Sequence, residues 1–166
     1  MLLMISRSEQ GFTLIELMVA LSILIILLTI GVPSLIDFVH AQRMDSAVQL
    51  LKDSYNQARY EAVTRHQSVT LCPLDSATNQ CGNAWSGGVL IYIDQDGDSH
   101  FDKNKDLRLR QVGFSDGVTI TTKSRTQIRI SSAGTTFDTD TFKVTVYGSK
   151  ETTELSISSA GRIKLG

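Results

Sequence analysis

Residues 12–32 read FTLIELMVALSILIILLTIGV, from Phe12 to Val32, and Glu16 is the single charge among them. A helix rises 1.5 Å per residue, so this stretch covers about 30 Å, the thickness of a bilayer's hydrocarbon core. A secretory signal peptide would have a shorter apolar run followed by a small-residue cleavage site. Here the run passes into Val32-Pro33-Ser34 without one, and the segment is expected to be retained as an anchor. Arg7, offset by Glu9, marks the short N-terminal side as the cytoplasmic flank, which sends the bulk of the chain across the membrane. Glu16 is the informative residue. A carboxylate in an apolar helix costs up to about 3 kcal/mol at mid-membrane unless it is paired or protonated, and less where it can reach the headgroups.

Beyond Pro33 the apolar positions Met44, Val48, Leu51, Tyr55, Ala58 and Ala62 recur at spacings of four and three, with Arg43, Lys52, Arg59 and Arg65 between them. That period predicts an amphipathic helix. If it continues the apolar segment through Pro33, Phe12 to about Arg65 forms one helix about 80 Å long, with a backbone hydrogen bond missing at the proline. From Ser68 the period changes to two. Ser68–Leu71, Val89–Ile93, Leu107–Val112, Val118–Thr122, Thr126–Ser131, Phe142–Tyr147, Leu155–Ser158 and Arg162–Leu165 read as short strands between Gly, Asp, Asn and Ser turn signals. The stretch from Ser131 to Thr141 reads as a long hairpin connection. The fold class is α+β: a long N-terminal helix whose second half packs on a mostly antiparallel sheet domain.

The chain has 166 residues, enough for about one domain beyond the anchor. Sixteen Lys and Arg against seventeen Asp and Glu give a formal charge of −1, so any nucleic-acid contact must come from a local patch. Such a bias exists late in the chain. Residues 123–166 carry seven basic and four acidic side chains, and residues 12–122 carry eight and twelve. If Arg162 to Leu165 is a strand, Arg162 and Lys164 share one face while Ile163 and Leu165 point to the core. By the same alternation Arg129 and Lys143 face outward, and the four cations share a surface if their strands are neighbours. Binding there would be dominated by phosphate, salt-dependent and indifferent to sequence, with Tyr147 available for stacking. The competing reading is an ordinary solvated strand face whose lysines discourage edge pairing.

Cys72 and Cys81 are the two cysteines, in a segment placed outside the cytoplasm; oxidation there favours a disulfide, and no nearby His pair makes a zinc site. Asp94-Gln95-Asp96-Gly97-Asp98 with Asp102 invites a calcium reading. Counted from Asp94, however, the calcium-loop pattern wants Gly at 99 and Glu at 105, where Ser99 and Lys105 stand. A solvated hairpin is therefore expected, with no metal and no cofactor. His40, His66 and His100 have no consistent Ser, Cys or carboxylate partner, so the sequence offers no catalytic constellation.

Gly11-Phe12-Thr13-Leu14-Ile15-Glu16 resembles the processing motif of type IV prepilins and pseudopilins. The resemblance implies a leader of residues 1–11 cut after Gly11 by prepilin peptidase, N-methylation of Phe12, an assembly and transmembrane segment over residues 12–33, and an exported pilin domain over residues 34–166. It also implies that Glu16 pairs with the N-terminal amine of a neighbouring subunit. A buried pair of this kind neutralises itself, whereas an unpaired member would be costly, so it can set register during assembly. Further blocks are similar to the GspH/FimT group of minor pilins and pseudopilins: Ala58-Arg59-Tyr60-Glu61-Ala62-Val63, Val69-Thr70-Leu71-Cys72, Trp85-Ser86-Gly87-Gly88 leading into Ile91-Tyr92-Ile93-Asp94, and Gly161-Arg162.

In that group a C-terminal G-R-x-R motif is implicated in DNA uptake. Gly161, Arg162, Ile163 and Lys164 stand at its positions here, with Lys164 keeping charge but losing the guanidinium fork. The resemblance thus implies a FimT-like minor type IV pilin, held in the bacterial inner membrane before assembly and in the pilus after it. Its partners would be prepilin peptidase, other pilins and double-stranded DNA, bound for natural transformation. The alternatives are a GspH-like pseudopilin of type II secretion and a structural, FimU-like priming subunit.

Overall fold

A computed structural model describes residues 11–123, 126–136 and 138–166. The leader, apart from Gly11, lies outside the described residues, as do the orientation markers Arg7 and Glu9. Helix α1 runs Leu14–Arg65 as 52 residues, with Pro33 inside it. The chain divides into two compact units, residues 1–38 and residues 39–166.

In the first unit the described side chains from Gly11 to Phe38 are all exposed, and the helix there is long and apolar enough to cross a membrane. Thr13 caps α1: its Oγ1 accepts the Glu16 N–H at 3.3 Å and its carbonyl accepts the Leu17 N–H at 3.2 Å. Thr13 and Glu16 have the T-x-x-E spacing of a capping box, and Glu16 lies in the first turn, where the helix dipole favours a carboxylate.

Among its described residues the second unit carries nine strands: β1 Val69–Asp75, β2 Gln80–Cys81, β3 Val89–Ile93, β4 Leu107–Val112, β5 Val118–Thr122, β6 Ile128–Ile130, β7 Thr141–Val146, β8 Thr152–Ile157 and β9 Ile163–Leu165. They form two antiparallel sheets. One has the order β2-β1-β3-β4 with β6 also paired to β1; the other has the order β5-β7-β8-β9. The helix contributes the six apolar positions read from its period, together with Ala47 and Ser54. They share one core with Val69, Leu71, Ile91, Ile128 and Ile130 of the first sheet and Ile120, Phe142, Val144 and Leu155 of the second. A smaller cluster of Cys72, Leu74, Leu90, Tyr92 and Phe101 covers the other face of the first sheet. β3 is accordingly buried at every position and reads as a continuous apolar run rather than an alternation.

The two sheets are tied together at Trp85-Ser86-Gly87, a single 3-10 turn. Trp85 meets the Phe142 ring edge-on at 5.0 Å between centroids, and Ser86 Oγ accepts the Ile120 N–H at 3.0 Å. Two sequence expectations need correction. The stretch from Ser131 to Thr141 is not a hairpin connection, because β6 pairs in one sheet and β7 in the other; a tight turn, with Ser131 N–H donating to Thr135 O at 2.8 Å, begins the crossover. Leu165 is 56 % exposed rather than core-facing, since β9 is an edge strand at the end of the chain and only Ile163 packs against the core.

Candidate functional site

Three places carry the chemistry singled out in the sequence. At the N-terminal end Gly11 has, among the described residues, no neighbouring atom within 4 Å of where a side chain would start, and Phe12 is 79 % exposed. Phe12 stands two residues ahead of the first helical residue, Leu14. Glu16 is exposed one turn into the helix, where its carboxylate is free to meet a group from outside the subunit. The cap formed by Thr13 was missed in the sequence reading, although the T-x-x-E spacing signals it.

Cys72 and Cys81 form a disulfide across nine positions of sequence, with a Cα–Cα distance of 5.6 Å. It links β1 to the two-residue strand β2, an element too short for alternation to reveal. Cys72 is fully buried in the smaller cluster, so the bond ties a surface loop to packed core.

The C-terminal cations are distributed by the sheet order. In β7–β8 pairing Lys143 stands opposite Glu154, and in β8–β9 pairing Ser156 stands opposite Lys164. Residues directly opposite one another share a face, so Lys143, Glu154, Ser156 and Lys164 line the same outer surface, with the carboxylate between the two lysines. Arg162 precedes β9 in the turn closed by Ser158 N–H donating to Arg162 O at 2.9 Å. Arg162, Lys164 and Lys143 are exposed and enter no ion pair among the described residues. Arg129 is elsewhere. It lies on β6 in the other sheet, where its guanidinium donates to Ser99 Oγ at 2.6 Å and its N–H to Asp138 at 2.9 Å. The single four-cation surface required adjacent strands, and that condition is not met. Tyr147, 88 % exposed, follows β7 at the end opposite β9's partners and is not placed to stack beside Arg162.

The Asp-rich loop between β3 and β4 is closed by its own backbone. Asp94 accepts the N–H groups of Gly97 at 2.7 Å and Ser99 at 2.9 Å, and Asp106 accepts those of Gln95 at 2.9 Å and Asp102 at 2.7 Å. One carboxylate oxygen from each of Asp94, Asp96 and Asp106 lies within 4.8 Å of the others. Counting to position 105 thus overlooked the carboxylate one residue later. Lys105 meets the Asp96 carboxylate at 3.1 Å and that of Asp102 at 3.6 Å, which lowers the pKa of Asp96 and raises its own. Beneath the loop, burial pushes the Tyr92 phenol up to about 12, helped by the negative charges of Asp94 and Asp106.

Comparison with known proteins accounts for both ends of the chain. Residues 47–161 match the family described as type II transport protein GspH, and residues 6–32 match the prokaryotic N-terminal methylation motif. A pilin-like protein, PilA1 of Thermus thermophilus, is 28% identical over 106 residues, which cover 64% of this chain. The match spans 62% of that relative's own length. Among solved structures, the type IV minor pilin FimU of Pseudomonas aeruginosa superposes with a TM-score of 0.59 at 25% identity, over 78% of this chain and 92% of FimU. The minor pseudopilin EpsH from the type 2 secretion system of Vibrio cholerae shares the fold alone, with a TM-score of 0.51 at 13% identity over 75% of this chain and 96% of EpsH. With the processing motif, the α+β fold and a match over most of the folded unit in agreement, the chain belongs to the GspH family of type IV pilin-like proteins.

Proposed function

We propose that the protein is a minor type IV pilin, processed between Gly11 and Phe12, held in the inner membrane with its folded unit on the periplasmic side, and then incorporated into a pilus. The observation that carries this reading is the helix from Leu14 to Phe38, apolar and exposed along its whole length. Such a surface has no partner among the described residues of the subunit. It must be covered by lipid before assembly and by other subunits' helices afterwards. Glu16, in the first turn of that helix, supplies the charge that a neighbouring subunit's N-terminal amine would neutralise. The likeness to FimU supports a pilus over a secretion pseudopilus.

The second step is weak, sequence-indifferent DNA capture by Arg162 and Lys164, supported by their exposure and by the Gly161-Arg162-Ile163-Lys164 motif. A purely structural subunit is the competing reading, and Glu154 between Lys143 and Lys164 favours it. Residues 39–166 contain every member of both hydrophobic clusters and can be studied alone. Binding of that unit and its Arg162→Ala/Lys164→Ala variant to short double-stranded DNA, over a salt series and with folding checked by circular dichroism, decides between them. Capture requires affinity that falls with salt and disappears in the folded variant; equal weak binding by both leaves the structural subunit.

A further inference from the structure

The strand register of the second sheet brings a further cation, Lys123, into line with Lys164. Ser156 stands opposite Lys164, and Thr141 stands opposite Ser156. Thr122 stands opposite Phe142, so Lys123, one residue further, comes level with Thr141. Two hydrogen bonds fix that level: the Lys123 and Thr141 N–H groups both donate to Asp140 Oδ1, at 3.1 and 2.7 Å. Lys123, Thr141, Ser156 and Lys164 therefore form one row across β5, β7, β8 and β9. The side chains between them along the strands, Phe142, Leu155 and Ile163, pack into the core, which turns the row to the outer face.

This row lies over a cleft. Lys123, Thr141 and Ser156 line an open depression of about 280 Å³, with Thr139, Asp140 and Ile157 completing its wall. Neighbouring strands are about 4.8 Å apart, so the Cα atoms of the two lysines are about 14 Å apart. Their four-carbon stems let both ammonium groups lean inward over the hydroxyls of Thr141 and Ser156, which can donate to the same oxygens.

The surrounding charges favour an anion there. Lys123 and Lys164 are exposed and enter no ion pair among the described residues. Asp140 is 7 % exposed and directs its Oδ1 at two backbone donors rather than outward. Ser158 and Arg162 close their turn one step beyond the Ile157–Ile163 pair, so Arg162 flanks the row on one side. Glu154 lies on the other side, two residues along β8 from Ser156, about 7 Å away. The row thus has a cation at each end and a third beside it, with the one carboxylate of this face displaced to the far flank.

We propose that Lys123, Thr141 and Ser156 form a phosphate seat that extends the Arg162–Lys164 contact to a further phosphate of the same nucleic-acid backbone. This rests on the reading of Arg162 and Lys164 as a DNA-capturing pair. The seat recognises phosphodiester charge and makes no demand on base sequence.

The test uses the full chain in non-ionic detergent, one short DNA duplex and a salt series. Its variants are Lys123→Gln, Lys123→Arg, Arg162→Ala/Lys164→Ala and, as a control at an exposed lysine of the β3–β4 loop, Lys103→Gln. Every change at Lys123 keeps the N–H that Asp140 accepts, and equal thermal midpoints check the fold. Lys123→Gln should weaken binding several-fold at low salt and lower the slope of log affinity against log salt by about 0.9, the share of one phosphate contact. Lys123→Arg should keep both, and Lys103→Gln should change neither. If Arg162→Ala/Lys164→Ala abolishes binding while Lys123→Gln behaves like Lys103→Gln, the seat is overturned and DNA capture stands. If the parent shows no salt-dependent binding, DNA capture fails and the seat fails with it.

Discussion

The carbonyl oxygen of Gly134 occupies the space that a side chain on Gly161 would need: a Cβ there would lie 2.1 Å from it. The same oxygen accepts the Arg59 Nε–H at 3.0 Å, so it cannot move aside without breaking that bond. Gly161 also has a φ of 69°, in the left-handed region. The glycine of the G-R-x-K motif is thus required by packing at the far end of α1, whatever its arginine does.

Gly161→Ala should therefore destabilise the folded unit by about 2–4 kcal/mol, the sum of a left-handed backbone and a backbone clash. Thermal or urea unfolding of residues 39–166 measures it. Loss of DNA binding in this variant would say nothing about DNA contact, whereas Arg162→Ala, at an exposed side chain, should leave stability within about 0.5 kcal/mol of the parent.

Most of the fold was legible because its periods are long and clean. Met44, Val48, Leu51, Tyr55, Ala58 and Ala62 follow the helical spacing closely enough that all six lie in the core. The two-residue β2 and the first half of β8, Thr152 to Glu154, were not legible, because polar residues on a strand's outer face resemble a turn. Sheet membership was out of reach for a different reason. Alternation tells which way Arg129 and Lys143 face but not which strand lies beside which, and the crossover after β6 separates them into different sheets. Lys105 was read as a break in a ligand pattern, while the carboxylate that completes the cluster, Asp106, follows it.

Reduction of the Cys72–Cys81 bond, or the double change Cys72→Ala/Cys81→Ala, should lower stability by about 2.5 kcal/mol from the loop-closure entropy of ten residues. Cys72 is buried against Leu74, Leu90 and Tyr92, so the double variant should lose somewhat more than reduction alone through the cavity left by its sulfur. Denaturant midpoints with and without reductant separate the two contributions.

Tyr92 predicts an alkaline limit. Its phenol is held protonated to about pH 12 in the fold by burial and then by Asp94 and Asp106, against an ordinary value of 10.0. The native state thus keeps a proton that the unfolded chain gives up, so stability falls as pH rises from 10 towards 12 and is unaffected below. A two-unit shift corresponds to about 2–3 kcal/mol. Tyr92→Phe should remove most of this decline, leaving the share contributed by Tyr55, whose phenol burial also raises. Urea midpoints at pH 8, 10 and 11.5 for both proteins check the slope.

Glu16→Ala separates insertion from assembly. Removing a carboxylate from an apolar helix makes membrane insertion easier. A neighbouring subunit's amine would then be buried without its counter-charge, which costs several kcal/mol and excludes the variant from the filament. Equal amounts in the membrane fraction with strong depletion from sheared pili is the expected result. Equal incorporation would show that the filament does not need the Glu16 carboxylate, since the Thr13 cap uses the Glu16 backbone N–H, which alanine keeps.

Glu154→Gln tests whether the outer face of the second sheet meets DNA. Lys143 stands directly opposite Glu154, and Lys164 lies one strand further on the same face, so the carboxylate lowers the potential between two cations. If DNA lies across Arg162 and Lys164, replacing Glu154 by an uncharged isostere removes the negative charge that repels a phosphate from the neighbourhood of Lys143. One added contact steepens the dependence of log affinity on log salt by about 0.9 and strengthens binding most at low salt. If DNA meets only the Arg162 turn, or nothing, the slope stays as it was. A salt titration of both proteins against one duplex reads this difference, and because Glu154 is exposed the change leaves the fold intact.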